Sequence, residues 1–302
     1  MVAFRAYLPR MDYGPRPDVG LDWYRAHGLG NDYLVAPGGA TLEDGSLRWP
    51  ATTAAVERVC DRHLGVGSDG IMVVVGREAP FPLRAFNPDG SEFERSGNGL
   101  RVVASWLHRQ GWVGGERFEV LIAGDGVGMK VHGHDPATGL YDVSVEMGRA
   151  STGPGAVELD AAALSPRLAA YDAVPVSVGN PHMVVWDEGA EIGDVGPAFA
   201  GSAAFAHGTN VQVARHVAAD RIEIDIWERG VGPTTASGSS SCAAAVAAVR
   251  SGRVEPGRID VVMAGGHLQV TVSDDLDVGL RGPVQVVARG RLDPGFAQGL
   301  GS

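Results

Sequence analysis

The chain has 302 residues, of which 44% are hydrophobic and 20% charged, and a formal net charge of −11. That is length enough for one large domain or two ordinary ones, with the composition of a soluble globular protein. No Lys/Arg run is dense enough to track a phosphate backbone, and no apolar run approaches the ~18 residues of a bilayer-spanning helix, which argues against nucleic acid and membrane as partners.

The 44 glycines and 18 prolines favour a strand-rich or mixed architecture over a helical bundle. Cys60 and Cys242 make neither a disulfide framework nor a C-x-x-C metal pair, and are expected as buried thiols on helices. Residues 1–20 look like an extension rich in Pro and Gly. Internal charges and prolines disqualify them as a signal peptide, so the cytoplasm is the default location.

Organised sequence is expected from Leu21. "YRAHGLGNDYLVA" reads as strand, glycine turn and strand, and "TTAAVERVCDRHLG" (52–65) has the apolar spacing of a helix ending at a glycine. "GIMVVVG" (70–76) is a buried strand, and "FPLRAFNPDG" (81–90) is a strand running into a Pro-Asp-Gly turn. After "SGNG", a helix of roughly 11 residues with Val102, Val103, Trp106 and Leu107 on one face is predicted to stop at Gly111. The second half repeats this grammar. "AVPVSVGNPHMVVW" (173–186) is strand, Gly-Asn turn and strand, "RIEIDIWERG" (221–230) alternates as a half-buried strand, and "SGSSSCAAAVAAVRSG" is a loop entering a helix. Several short antiparallel strands are expected after Arg258.

Gly30-Asn31 then corresponds to Gly179-Asn180, and Ser96-Gly97 to Ser237-Gly238. The implied fold is two similar α/β lobes facing each other across a cleft, each presenting one helix N-terminus to it. The first turn of a helix has N–H groups without intrahelical partners and a positive dipole end, so it can hold a carboxylate or a developing oxyanion. Gly97 and Gly238 allow close approach of backbone to ligand. The plainer alternative is that Ser96 and Ser237 are only N-caps.

Gly65-x-Gly67-x-x-Gly70 fits the dinucleotide pattern in letters, but a helix precedes it and a strand follows, the reverse of that fingerprint. His27, His63 and His182 have no metal-ligand spacing. His182 in "GNPHM" is either a turn or core histidine or a catalytic one. Glu228-Arg229, at a strand end, is either a solvated edge or a carboxylate grip.

In order, "HGLGNDY" (27–33), "CDRHLGVGSDG" (60–70), "FNPDGSE" (86–92), "SGNGLR" (96–101), "GNPH" (179–182), "TNVQV" (209–213), "WERGVGPT" (227–234), "SGSSSCAAA" (237–245) and the ending "LRGPVQVVARGRL" resemble the motifs of diaminopimelate epimerase. The likeness runs from about residue 21 to residue 292. It implies two pseudo-symmetric lobes, each a curled mixed β-sheet around a central helix, with the active cleft between them. The corresponding division is 21–139 with 283–302 against 140–282. It implies chemistry without pyridoxal phosphate or metal, in which two cysteines on opposite faces of the substrate α-carbon exchange its proton. Residue by residue, it places Asn31, Asn87, Asn180, Asn210 and Arg229 around the ligand. Gly97-Asn98 and Gly238-Ser239 would offer N–H groups to the α-carboxylate, and His182 and Glu228 would tune the acid–base pair.

The departure is central: Ser96 and Ser237 stand where the family carries its reacting cysteines, and Pro233 stands where an acidic residue is usual. A serine hydroxyl is a far weaker acid than a thiol and must be activated by a neighbouring base. Three readings follow: an amino-acid epimerase in which Ser96 and Ser237 act with His182 and Glu228; an isomerase of different chemistry using Glu228 or His182 as acid–base; or a ligand-binding homologue that has lost catalysis. The expected partner is a small amino acid or related carboxylate, with a homodimer left open.

Overall fold

The computed structural model describes residues 22–38, 49, 51–93 and 95–300. The proposed extension 1–20 and the Leu21 start lie outside the described residues.

The chain order is β1 (Asp22–Gly28), β2 (Asn31–Pro37), α1 (Thr53–Cys60), β3 (Ile71–Val74), β4 (Phe81–Phe86), α2 (Gly97–Arg109), β5 (Phe118–Ile122), β6 (Asp125–Asp135), β7 (Leu140–Arg149) and a short β8 (Ser151–Thr152). After a small helical region that includes α3 (Pro166–Ala169) come β9 (Ala173–Ser177), β10 (Pro181–Val185), α4 (Ile192–Ala200), β11 (Asn210–Ala218), β12 (Arg221–Glu228), β13 (Gly232–Thr234) and α5 (Gly238–Arg250). β14 (Gly257–Met263), β15 (Gly266–Val272), β16 (Asp277–Arg291) and α6 (Pro294–Gln298) close the chain.

The internal repeat is explicit in the pairing. β1/β2 is antiparallel, β2/β3 parallel, β3/β4 antiparallel, β4/β5 parallel, and β5/β6 and β6/β7 antiparallel. β9, β10, β11, β12, β14, β15 and β16 repeat that series of pairings in the same order. In each lobe a parallel step is bridged by a helix: α1 and α4 span the first such steps, α2 and α5 the second. α1 packs on β2 and β3 through Val56, Val59, Leu34, Ile71 and Val73, outside the curl, and α4 does the same on β10 and β11 through Val195 and Phe199. α2 and α5 lie inside the curls and belong to one continuous core.

β16 joins the lobes. It pairs with β7 and β15, and its second half pairs with β1, so β1–β7 and β16 form a closed barrel around α2. The division 21–139 with 283–302 against 140–282 therefore cuts the sheet next to β7 and inside the strand both lobes share.

The hydrophobic pattern explains the two inner helices. α2 is buried from Gly97 to Leu107, and α5 is an alanine-rich rod whose small side chains let the sheet wrap closely around it. Two expectations are corrected. The helix predicted over 52–65 stops at Cys60, because Asp61 Oδ1 accepts the N–H groups of His63 and Leu64, each at 2.7 Å, and the chain folds back so that Val66 N–H bonds Val59 O at 2.9 Å. The last segment is antiparallel as expected, with β14 and β15 of 7 residues each, but β16 runs 15 residues instead of being short, because it is paired along its length by successive neighbours. Both thiols are buried on helices as expected. No helix among the described residues is long and apolar enough to cross a membrane.

Candidate active site

A cleft of about 1020 Å³ opens between the lobes, and the N-termini of α2 and α5 meet at its floor. Both predicted serines are indeed caps. Ser96 has φ −137° and ψ 119°, and its Oγ accepts Gly99 N–H at 3.1 Å; Ser237 has φ −151° and ψ 127°, and its Oγ accepts Ser240 N–H at 3.4 Å. Both also line the cleft, so the two readings of these loops are compatible. A Cβ built on Gly238 would stand 3.8 Å from Gly97 Cα, and Cβ atoms on Gly97 and Gly238 would both meet Leu280 Cδ2, at 2.6 and 3.1 Å. The two helix ends thus abut over one residue of β16. The first N–H groups of each helix, on Gly97, Asn98, Gly238 and Ser239, have no intrahelical acceptor, so two positive dipole ends converge on one place.

The first lobe lines the cleft with Asn31, Tyr33, Asp69, Asn87, Arg95, Ser96 and Asn98. Asn31 leaves the β1–β2 turn, where Leu29 (φ 53°) and Gly30 (φ 94°) both take the left-handed conformation a tight hairpin needs. Asn98 Nδ2 donates to Asn31 Oδ1 at 3.0 Å, and Asn31 Nδ2 donates to Asp69 Oδ2 at 2.9 Å. Arg62 bridges Asp69 and Asp32, at 2.7 Å to each. Burial opposes the charge on Asp69, but the Asp32 N–H, the Asn31 amide and Arg62 outweigh it and hold the carboxyl below its usual range. Ser96 Oγ–H donates to the Tyr33 hydroxyl at 3.0 Å, and burial pushes that phenol up to about 12.

The second lobe contributes Asn180, Glu228, Arg229, Ser237, Gly238 and Ser239. Glu228 ends β12 and is half-buried. Burial pushes its carboxyl up, the Ser237 hydroxyl draws it partly back, and the charge of Asp69 in the facing lobe adds to the rise. Arg229 reaches the cleft with its Nη1 bonded to His207 O.

His182 and Asn210 stand behind the wall rather than in it. His182 is 0% exposed; its Nε2 lies 3.0 Å from Asn180 Oδ1 and its Nδ1 3.1 Å from Gln212 Nε2. Burial takes the imidazole down to about 3, so it is neutral at physiological pH. Asn210 Nδ2 donates to Pro181 O at 2.9 Å and its Oδ1 accepts Arg229 N–H at 3.0 Å, tying β10 to the end of β12. Cys242, a turn further along α5, is fully buried, and burial pushes its thiol up to about 12. Among the described residues no group of three or more His, Cys, Asp or Glu side chains is placed to hold a metal ion.

The model of the family described as diaminopimelate epimerase matches residues 23–153 and 174–287. The chain belongs to the diaminopimelate epimerase family. It is 35% identical over 284 residues to diaminopimelate epimerase 2 of Nostoc sp., covering 90% of this chain and 95% of the relative. It is 36% identical over 291 residues to the diaminopimelate epimerase of Desulforudis audaxviator, covering 90% and 99%. Among solved structures, a hydroxyproline epimerase from Agrobacterium vitis with bound trans-4-hydroxy-L-proline superposes with a TM-score of 0.66 at 14% identity, over 93% of this chain and 96% of that one, a likeness of fold. The protein is accordingly an isomerase of the diaminopimelate epimerase family.

Sequence reasoning did not single out Tyr33, Asp69, Arg95 or Arg101, nor Gln212. All but Arg95 lie inside motifs that carry the resemblance, so their presence was visible and their placement was not.

Proposed function

We propose that the protein moves a proton at a carbon next to a carboxylate, without a cofactor, using Glu228 as its acid–base group. The observation that carries this reading is the Glu228 carboxyl. It lines the cleft beside the paired helix ends, where burial pushes its pKa above the ordinary carboxyl value and makes it a better base than an exposed carboxylate. The substrate carboxylate binds the N–H groups of Gly97, Asn98, Gly238 and Ser239. When Glu228 removes the α-proton, the electron pair spreads onto the carboxylate, and the same fixed dipoles stabilise the added charge. Protonated Glu228 then returns the proton to the carbon skeleton. Ser237 supports the ionised form of Glu228, while Asn31, Asn87, Asn180 and Arg229 hold the rest of the ligand. His182 is neutral and fully buried, so it acts as the residue that positions Asn180.

The opposing face favours one base over two. Ser96 donates to Tyr33, a phenol held at about 12, so neither group is a base near neutrality. Epimerisation is the second reading. It is favoured by the relatives named diaminopimelate epimerase and by the matched cap positions of Ser96 and Ser237, which would supply a weakly acidic hydroxyl to the carbanion from each side. Incubation in deuterated water with diaminopimelate and a panel of amino and unsaturated carboxylic acids tests both. Label entering with retention or at a shifted carbon supports the single base, label with inversion supports epimerisation, and the absence of both label and isomerised product with every bound acid refutes proton transfer at this site.

A further inference from the structure

Among the described residues, one fully buried cation has no carboxylate in ion-pair contact. Arg101, on the second turn of α2, is 0% exposed. Its Nε donates to Gly97 O at 3.2 Å, its Nη1 to Pro283 O at 3.2 Å, and its Nη2 to Asn98 Oδ1, all of them neutral acceptors. No salt bridge to Arg101 occurs among the described residues. Two groups act on it through space: the Cys242 thiol, which burial pushes up to about 12 and so keeps protonated, and Asp142, which is already held by Arg281 at 2.9 and 3.1 Å.

The backbone is shaped around this group. A Cβ on Gly28 of β1 would lie 2.8 Å from Nη2, and one on Gly282 of β16 would lie 2.3 Å from Nη1. Two strands therefore carry glycine where the guanidinium passes. Burial lowers its pKa to about 10, so it remains charged at neutral pH. A buried charge without a partner is costly, and the place where a compensating charge can arrive is the seam above it. Asn98 links the two: its Oδ1 accepts from Arg101, and a Cβ on Gly238 would lie 3.8 Å from that same oxygen.

We propose that Arg101 is a positioning residue that supplies the fixed positive charge of the seam, orienting Asn98 and drawing an anionic carboxylate, in its ground and electron-rich forms, to the two helix ends. This rests on the carboxylate-binding reading given above and adds a net charge to what were only dipoles. The anion's counter-charge is then built into the fold and never exposed to solvent, so salt screens it little.

The test reads the field without needing turnover. Ser96→Cys places a thiol at the cap of α2, and its thiolate pKa is measured from the pH dependence of alkylation by iodoacetamide. Adding Arg101→Met is expected to raise that pKa, with about a tenfold loss of thiolate at neutral pH, whereas Arg101→Lys is expected to keep most of the effect. An unchanged pKa in a folded Arg101→Met protein overturns the proposal. If Arg101→Met does not fold, Arg101→Gln serves as the neutral variant. Failure of deuterium exchange with the pKa shift intact would remove the proposed catalysis and leave the charge assigned.

Discussion

Replacing Gly97 by alanine tests the convergence of the helix ends. The new methyl would sit 2.6 Å from Leu280 Cδ2 and 3.5 Å from Met147 Sδ. Carbon–carbon contacts settle near ~3.5–4.0 Å, so the overlap with Leu280 is close to an ångström. Leu280 is fully buried, and the leucine methyl that would have to move also faces Gly238, where a Cβ would lie 3.1 Å away. Overpacking of this kind costs about 1–3 kcal/mol, against which the better helix propensity of alanine returns at most ~1 kcal/mol. The expected net loss is about 1–2 kcal/mol in a urea titration, with a smaller loss for Gly238→Ala. Leu280→Ala should destabilise on its own, yet the double variant Gly97→Ala/Leu280→Ala should be more stable than the sum of the singles by roughly 1 kcal/mol. Gly97→Ala as stable as the parent, or strict additivity with Leu280→Ala, would refute the abutting geometry.

Glu228→Gln should lower α-deuterium exchange by about 10²–10⁴-fold while leaving carboxylate binding by calorimetry within severalfold, since the helix N–H groups remain. Because the folded-state pKa of Glu228 is raised, the native protein holds more protons than the unfolded chain between the ordinary carboxyl range and that raised value. Its contribution to stability is present at low pH and lost as pH rises through this window. Glu228→Gln should flatten that loss in denaturant midpoints measured from pH 4 to 8. His182 has the opposite sign. With its pKa at about 3 against the ordinary 6.5, stability should fall as pH drops from 6.5 toward 3, by at most about 1.4 kcal/mol per pH unit for its one proton. Its imidazole NMR signals should not titrate between pH 5 and 8, and a midpoint near 6.5 would contradict its burial. Finally, Ser96→Cys/Ser237→Cys is expected to gain diaminopimelate epimerisation, detected by loss of α-label; no gain would mean that the cleft receives a different acid.

Much of the framework was legible because it depends on neighbours in sequence. The Gly-Asn turns at 30–31 and 179–180 demand local backbone conformations, and the alternation of β12 and the small-residue run of α5 display their buried faces directly. The region from β5 to β8 was not legible, since strands such as "DGVGMKVHGHD" gain their order from partners in β5 and β7 rather than from their own pattern. The end of α1 was missed for a related reason: the Asp61 side chain competes with the helix for the next N–H groups.

Ordered motifs placed the chain in its family, and the two serines marked its departure, because residue identity at a given spacing is a property of the chain alone. Burial is not. Only the folded molecule decided that His182 is walled off and neutral, that Glu228 faces Asp69 across the cleft, and that Arg101 lies enclosed beneath two helix ends. Each depends on segments far apart in the chain closing on one another, and desolvation and electrostatic coupling exist only once they have.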